Sequence, residues 1–217
     1  MRVLVACEFS GIVRDAFLAQ GHEAVSCDLL PSDAPGPHLQ GDVLQYLTDG
    51  WDVMIAHPPC THLAVSGAAW FHRKQHEQAE ALAFVQRLMD APIPQICLEN
   101  PVSVISSRIR KPDQIIQPWQ FGHAERKTTC LWLKGLPRLI PTTDLSAAVQ
   151  RKPKHLQNPL HYLPPTKDRW KKRSLTYHGI AAAMAAQWGL DTTAKLTQQE
   201  RAVILQLKNE CLLNLAQ

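Results

Sequence analysis

The sequence predicts an α/β protein built around a mostly parallel sheet, and three observations lead to that fold class. Apolar, strand-like runs alternate with helical segments through the first half of the chain. Polar or reactive residues follow the ends of several of those runs. The 217 residues are 45% hydrophobic and 19% charged, which is ordinary globular composition. Strands that alternate with helices are typical of a parallel sheet with right-handed crossovers.

The first predicted elements follow one another closely from the N-terminus. RVLVAC reads as a buried strand, GIVRDAFLAQG as a helix that ends at a glycine, and HEAVSCD as a second strand. The next segment, PSDAPGPHLQ, is rich in proline and is expected to be a loop. GDVLQYL is then expected to be a short strand or a turn that enters a helix.

The later elements continue the alternation of strand and helix. DVMIA is predicted to be a strand, the segment from about Lys74 to Asp90 has helical periodicity, and PQICLEN is a further strand. From Thr197 onward, a capping-box pattern and an apolar stripe predict a C-terminal helix. We expect that stripe to pack on its own domain, with a dimer contact as the alternative, so the chain is a monomer or a weak homodimer.

Composition and termini limit the class of protein. The opening MRVLVACEFSG is too short for a secretory signal, and no segment approaches the roughly 20 apolar residues of a membrane span. The six cysteines include no CxxC pair, so neither a disulfide framework nor a zinc knuckle is suggested. A net charge of +4 says little about partners by itself. We expect a soluble protein of a bacterial or phage-infected cytoplasm.

Chemically informative residues gather at the predicted strand ends. They are Glu8 to Gly11, Asp28, Asp42, Pro58 to Cys60, and Glu99 to Pro101. In parallel sheets, ligands bind beyond the carboxyl ends of the strands. An acid after the second strand is what a cofactor with an adenosine end uses for its ribose hydroxyls, and Asp28 stands there. The two prolines fix the backbone, so Cys60 can face a pocket instead of packing into the sheet.

Three of these motifs, in this order, resemble the cytosine-5 DNA methyltransferase family, which uses S-adenosylmethionine (SAM). FSG (9–11) resembles the SAM-binding first motif, HPPC (57–60) the catalytic Pro-Cys motif, and ENP (99–101) the motif with the catalytic glutamate. The resemblance covers residue 1 to about 140 and resumes near Ser174, and it is closest to the short members from phage and prophage genomes. It implies a Rossmann-like fold with helices on both faces of the sheet.

The resemblance implies a covalent mechanism. Cys60 would add to carbon 6 of cytosine and so activate carbon 5 for methylation, while Glu99 would protonate or hydrogen-bond the ring at nitrogen 3 and the exocyclic amine. A free thiol is mostly protonated at neutral pH, and His57, His62 and the start of a following helix could favour the thiolate of Cys60. Arg126 or Lys127, before a strand, could support the flipped base, and Arg126 is the catalytic candidate.

The same resemblance assigns a cofactor site. Phe9 and Leu29 would pack on the adenine, Asp28 would bind the ribose, and Asp42 would accept from the adenine amine. Tyr177 to Ile180 would close the pocket. The full set of expected SAM-binding residues is Phe9, Ser10, Gly11, Asp28, Leu29, Asp42 and Pro59. The sequence departs from the family at Val13, where many members have a further glycine.

Long members of the family carry a target-recognition domain that this chain lacks. We divide the chain into a SAM-binding catalytic core (1–140), a short basic insertion (141–173) and a C-terminal helical segment that completes the core (174–217). The insertion is too small to read several base edges, so we expect weak or very short sequence preference, as would suit a phage enzyme that evades restriction. Four cations in it are the nucleic-acid-binding candidates: Arg169, Lys171, Lys172 and Arg173.

Other interpretations remain open from the sequence. The same chemistry could act on RNA or a free cytidine nucleotide, or the chain could be a catalytically silent module that binds SAM or nucleic acid. An amino-methyltransferase is disfavoured because His57 and Cys60 flank the two prolines. Zinc ligands could be drawn from His57, Cys60 and His62, or from His72 with His76. The sequence patterns of zinc deaminases are lacking, and we expect no metal.

Overall fold

The computed structural model describes residues 1–189 and Gln206, and a seven-stranded sheet is at its centre. The strand order is β3-β2-β1-β4-β5-β7-β6. The strands are β1 (Arg2–Ala6), β2 (Glu23–Asp28), β3 (His38–Gln40), β4 (Val53–Ala56), β5 (Gln95–Pro101), β6 (Gln114–Ile116) and β7 (Thr129–Lys134). Of the six pairs of neighbouring strands, the four from β3 to β5 are parallel, and β7 is antiparallel to both β5 and β6. The predicted, mostly parallel sheet is confirmed.

Helices connect the strands and continue after β7. The α-helices are α1 (Ile12–Ala19), α2 (Gln75–Met89), α3 (Ile105–Arg108), α4 (Ser146–Arg151), α5 (Lys154–Gln157), α6 (Arg169–Ser174) and α7 (His178–Trp188). Three 3₁₀ segments cover Val43–Gln45, Val65–Arg73 and Pro118–Gln120. None of the helices in the described part of the chain is long and apolar enough to cross a membrane. The helix expected from Thr197 lies outside the described residues.

The alternation of side chains in β1 shows how the core is divided. Val3 and Val5 point into one apolar cluster with α1 and α7, whereas Leu4 and Ala6 point into a second cluster with α2. Successive side chains of a strand face opposite sides of the sheet, and both sides of β1 are fully buried. Helices therefore cover both faces of the sheet, as the resemblance implied.

Two segments differ from their expected structure. The proline-rich loop before residue 41 ends in β3, because His38–Gln40 pairs in parallel with the end of β2. Three residues are too few to show a periodic pattern, so this strand could not be predicted from the sequence. GDVLQYL forms a 3₁₀ turn, in which the Asp42 carboxylate accepts a hydrogen bond from the Leu44 backbone N–H at 3.0 Å. Of the two alternatives for that segment, the turn is the correct one.

Candidate functional site

One edge of the sheet collects the chemically informative residues. Glu8, Cys60 and Glu99 stand at the carboxyl ends of β1, β4 and β5, which are parallel neighbours. Asp28 ends β2, which pairs with β1 on the other side. The parallel topology thus forces residues that are far apart in sequence onto one edge, where ligands bind in open α/β sheets.

The loop after β1 is organised by Glu8, which is only 5% exposed. Its Oε1 accepts from the Val13 backbone N–H at 2.7 Å and from the Ser10 hydroxyl at 3.1 Å, and its Oε2 accepts from the Arg14 N–H at 3.2 Å. Gly11 precedes α1 with φ of 76°, a left-handed conformation that suits glycine. Val13, which replaces the further glycine of the family, is therefore part of the first turn that Glu8 caps.

Arg14 was not singled out from the sequence, yet it holds the next loop. Its side chain is fully buried, and its guanidinium donates to the carbonyl of Pro35 at 2.8 Å and to the hydroxyls of Ser26 and Ser32, both at 3.2 Å. An arginine on the apolar face of α1, between Val13 and Phe17, was the signal that could have revealed this role. Buried guanidinium groups are rare unless they are paired.

The two aspartates of the predicted cofactor site act on the same thiol. Oδ1 of Asp28 accepts from the Leu30 N–H at 2.9 Å. Burial raises the pKa of Cys7 far above its ordinary range, and the nearby charges of Asp28, Cys27 and Asp42 raise it further. Cys7 also adopts φ of 58°, unusual for a residue that is not glycine. Asp28 and Asp42 thus both act on the residue that follows β1, whereas Leu29 is 73% exposed.

The start of the Pro-Pro-Cys loop is held by two hydrogen bonds. The His57 N–H donates to the Ala6 carbonyl at 2.9 Å, and the Asn100 side-chain amide donates to the Pro58 carbonyl at 2.9 Å. Asn100 itself is 1% exposed, so the ENP motif fixes the HPPC motif from beneath. Part of Cys60 is open to solvent, so an incoming group can reach the residue even though the surrounding protein desolvates its thiol.

Glu99 faces His57 across the edge of the sheet. The His57 Nδ1 lies 3.1 Å from the Glu99 Oε2, and their side chains are 9% and 16% exposed. Burial alone would raise the pKa of Glu99, but the hydrogen bond and charge of His57, with the charge of Lys127, outweigh it and lower that pKa below its usual value. Glu99 is therefore a carboxylate at neutral pH.

The environment of Cys60 differs from the one expected. Burial raises the pKa of the Cys60 thiol and the Glu99 carboxylate raises it further, whereas Arg173 and Lys127 oppose them without reversing the shift. His57 is engaged with Glu99, and the residues after Cys60 form a turn and then a 3₁₀ segment that begins at Val65. The cations that lower the pKa of Cys60 thus come from parts of the chain that are distant in sequence. No α-helix begins at Cys60.

Lys127, and not Arg126, affects the ionisation of both Cys60 and Glu99. Its charge acts on both groups, and its Nζ donates to the Leu175 carbonyl at 2.9 Å. Arg126 instead lines a separate cavity, beside Gln117 and Trp119. The structure does not bring the Arg126 side chain into the Cys60–Glu99 pair.

The basic segment (residues 169–173) folds over the loop from Glu8 to Gly11, which is expected to bind the cofactor and is called the cofactor loop below. The ring of Trp170 in α6 lies 5.8 Å from that of Phe9 between centroids. The Lys171 Nζ lies 5.3 Å from the Phe9 ring and 2.6 Å from the Asp33 carboxylate. Arg169 donates to the His161 carbonyl at 3.2 Å. Two of the four candidate nucleic-acid-binding cations, Arg169 and Lys171, thus have partners within the protein, and Lys172 and Arg173 are exposed.

The segment from Tyr177 to Ile180 contacts the loop before β7. The Tyr177 hydroxyl donates to Glu125, and the Gly179 N–H donates to the His123 Nε2 at 2.9 Å. A side chain at Gly179 would collide with the Phe121 carbonyl oxygen, so glycine is required by this close approach. Within residues 1–189, no group of three or more His, Cys, Asp or Glu is arranged to hold a metal ion.

Comparisons with known proteins give distant structural matches of low identity. The sequence matches no family model and no curated protein. A solved structure of a DNA modification methyltransferase from a prophage of E. coli is 12% identical, with 76% of this chain and 56% of that chain covered and a TM-score of 0.43. For the Entamoeba histolytica methyltransferase EhMeth the identity is 13%, the coverage 66% and 57%, and the TM-score 0.46. The S. pombe Dnmt2 methyltransferase is 16% identical, with 79% of this chain and 62% of that chain covered and a TM-score of 0.45.

The chain spans 56%, 57% and 62% of the lengths of these three proteins. Its own strand order, with one antiparallel strand near the edge, defines the fold independently of them. The chain has the Rossmann-like fold predicted from its sequence, and the solved structures that it resembles are named as methyltransferases.

Proposed function

We propose that the protein is a SAM-dependent DNA (cytosine-5) methyltransferase in which Cys60 attacks carbon 6 of the base. The observation that carries this proposal is the meeting of an exposed cysteine with a partly buried carboxylate at adjacent strand ends. Cys60 follows β4 and Glu99 lies in β5, and the charge of Glu99 acts on the thiol. Nucleophilic catalysis on a ring requires such a thiol beside a group that manages the proton of the ring.

The residues at the ends of β1 and β2 fit an adenosine-bearing cofactor. Asp28 and Asp42 converge beside Cys7 and can accept from ribose hydroxyls and from an amine. The Phe9 ring offers an aromatic face, and the loop from Ser10 to Gly11 lets the backbone approach closely. SAM, when bound, supplies an electrophilic methyl group. Pro59, exposed beside Cys60, would line the path between that group and the base.

In the proposed reaction Glu99 donates a proton to the cytosine ring, and His57 is close enough to supply that proton. A carboxylate can accept from the exocyclic amine of cytosine, but protonation of nitrogen 3 needs a proton on the acid. The pKa of Glu99 is lowered by His57 and Lys127 in spite of burial, so the free acid is scarce at neutral pH. A protonated His57, 3.1 Å from the Glu99 oxygen, can return a proton to Glu99 as charge develops on the ring.

Cys60 requires deprotonation before it can attack. Its pKa lies above the usual thiol range through burial and Glu99, and Arg173 and Lys127 partly compensate. Both cations can also contact a phosphate backbone. We therefore propose that substrate binding and thiolate formation depend on the same side chains. The small insertion supports short or weak sequence preference on duplex or single-stranded DNA.

Covalent trapping tests this function. Purified protein is incubated with SAM and a cytosine-rich DNA that carries 5-fluorocytosine, because fluorine at carbon 5 blocks the final elimination of the cysteine. We expect a SAM-dependent adduct that survives denaturation and that maps to Cys60 by peptide mass spectrometry. Cys60→Ala should give no adduct, whereas Thr61→Ala, a change at an exposed neighbour, should trap like the wild type.

The negative outcomes separate the other functions. Binding of SAM is measured in the same preparations by calorimetry. An adduct with RNA alone, or methylation of a free cytidine nucleotide alone, would assign the same chemistry to another substrate. SAM binding without any adduct on DNA, RNA or nucleotide would contradict the catalytic proposal and indicate a silent module.

A further inference from the structure

A cavity of about 460 Å³ lies beyond the strands that the proposed catalytic site uses. Its lining includes Gln117, Trp119, Arg126 and Asn158. The volume is within the range of about 300–1,000 Å³ that is usual for small-ligand sites. No role in cofactor binding or in the reaction has been given to this cavity.

The cavity opens at the same edge of the sheet as Cys60 and Glu99. Gln117 directly follows β6, and Thr128 directly precedes β7. The neighbouring residue Thr129 pairs with Pro101, at the carboxyl end of β5. Along the edge, the cofactor loop, the reactive thiol with its glutamate, and this cavity therefore follow one another in that order.

Three consecutive residues, 126–128, contribute to both the cavity and the proposed catalytic site. Lys127 acts electrostatically on Cys60 and Glu99, whereas its neighbours Arg126 and Thr128 line the cavity. The short segment 126–128 is therefore shared between the wall of the cavity and the surroundings of Cys60 and Glu99.

Hydrogen bonds hold the walls of the cavity together. The Gln117 side chain donates to the Thr128 hydroxyl at 2.8 Å and accepts from the Lys127 N–H at 3.1 Å. The insertion is attached through the Leu145 N–H, which donates to the Trp119 carbonyl at 2.8 Å, and through the Gln157 carbonyl, which accepts from the Arg126 N–H at 2.7 Å. Residues 145–158 therefore form a fixed wall and not a loose basic loop.

The chemistry of the lining suits a nucleotide. It contains one cation, Arg126, and no acidic residue, together with the indole of Trp119 and the side-chain amides of Gln150 and Asn158. An indole stacks on any nucleobase, and a guanidinium binds phosphate oxygens in a bidentate way. Amides can donate to and accept from base edges.

We propose that this cavity binds the nucleotide next to the target cytosine, with Trp119 stacked on its base and Arg126 on its phosphate. The inference rests on the proposed function, because it takes the reacting cytosine to lie between Cys60 and Glu99. It reassigns Arg126 from the flipped base to a neighbouring nucleotide. It also gives the short insertion a task within its size, which is to read one base.

Abasic substitution tests the proposal. Single-stranded oligonucleotides that contain one cytosine are prepared with an abasic site at each of the two positions on either side of it, and their dissociation constants are measured by fluorescence anisotropy. For the wild type, an abasic site at one adjacent position should weaken binding by about 10-fold, as expected for the loss of one base–aromatic stack. Trp119→Ala should bind all the oligonucleotides alike, and Trp119→Phe should keep the wild-type pattern.

A second variant and a separate readout complete the test. Arg126→Gln changes an exposed side chain, so the fold should be unaffected; it should weaken all the oligonucleotides equally and reduce the salt dependence of binding. Wild-type binding that is indifferent to every abasic site, or no binding of these oligonucleotides at all, would overturn the proposal. The 5-fluorocytosine adduct reports separately on the proposed function, which stands if the adduct forms and fails if it does not.

Discussion

Two glutamates on one edge of the sheet, Glu8 buried and Glu99 partly buried, have opposite surroundings. Glu8, at the end of β1, is bound by backbone N–H groups and by the Ser10 hydroxyl of its own loop. Glu99, at the end of β5, faces the ionisable groups of His57 and Lys127. Backbone donors cannot change their charge, whereas histidine and lysine can exchange protons or move. The first region thus holds a loop in shape, and the second brings together groups that can exchange protons.

The largest effect should come from exchanging each glutamate for glutamine. Glu99→Gln should lower methyl transfer by at least about 100-fold, because it removes an acid–base group of the reaction, with little change in thermal stability. Glu8→Gln should instead lower the free energy of unfolding by about 1–3 kcal/mol, because the amide NH2 group replaces one of the two oxygens and leaves a backbone N–H without its acceptor. Methylation rates and thermal unfolding of both variants provide the measurement. Equal losses of activity and stability in the two variants would contradict the comparison.

The contrast also shows what the sequence could predict. Four strands (β1, β2, β4 and β5) and α1 followed from hydrophobic periodicity, and the parallel topology then placed HPPC beside ENP without further information. The hydrogen bond from His57 to Glu99 could not be predicted, because it joins residues 42 positions apart through side-chain rotamers that packing decides. The fold of the basic segment onto Phe9 was equally hidden, because charge alone predicts a solvated surface. Hydrophobic periodicity carries no information about which side chains pair when they are far apart in the sequence.

A second prediction concerns the pKa of Glu99. Burial raises that pKa, and His57 contributes the hydrogen bond and charge that bring it below its usual value. In His57→Gln the charge is lost and burial remains, so the pKa of Glu99 should move upward. The titration can be followed by carbon-13 NMR of the glutamate carboxyl groups. His76→Gln is the matched control, because His76 faces the exposed Glu80 at 3.6 Å; a Glu99 pKa that is the same in all three proteins would contradict the role of His57.

A third prediction concerns the thiol. The thiolate is the reactive form, and the pKa of Cys60 is raised by burial and Glu99, so its alkylation by iodoacetamide should still accelerate above the usual thiol range. Glu99→Gln should move that profile to lower pH, and Arg173→Gln, which removes an opposing cation, to higher pH. Mass spectrometry of the Cys60 peptide measures the rate. Lys172→Gln, a change at the neighbouring exposed cation in α6, should leave the profile in place; a shift as large as that of Arg173→Gln would assign the effect to net charge.

The smallest effect should come from the contact between the basic segment and the cofactor loop. Trp170 packs on Phe9, and Lys171 contacts both the same ring and Asp33, so α6 supports the ring on which the adenine is proposed to pack. Trp170→Ala should weaken SAM binding by about 2- to 10-fold, the amount expected for one aromatic contact. Calorimetric titration with SAM measures it, with Trp70→Ala as the control, because Trp70 is equally exposed but lies in the 3₁₀ segment after Cys60. Tighter binding in Trp170→Ala would show that the indole competes with the adenine for Phe9. SAM binding would then require α6 to move away from Phe9. The region around Glu8 would in that case contain a part that rearranges, and would differ less from the region around Glu99.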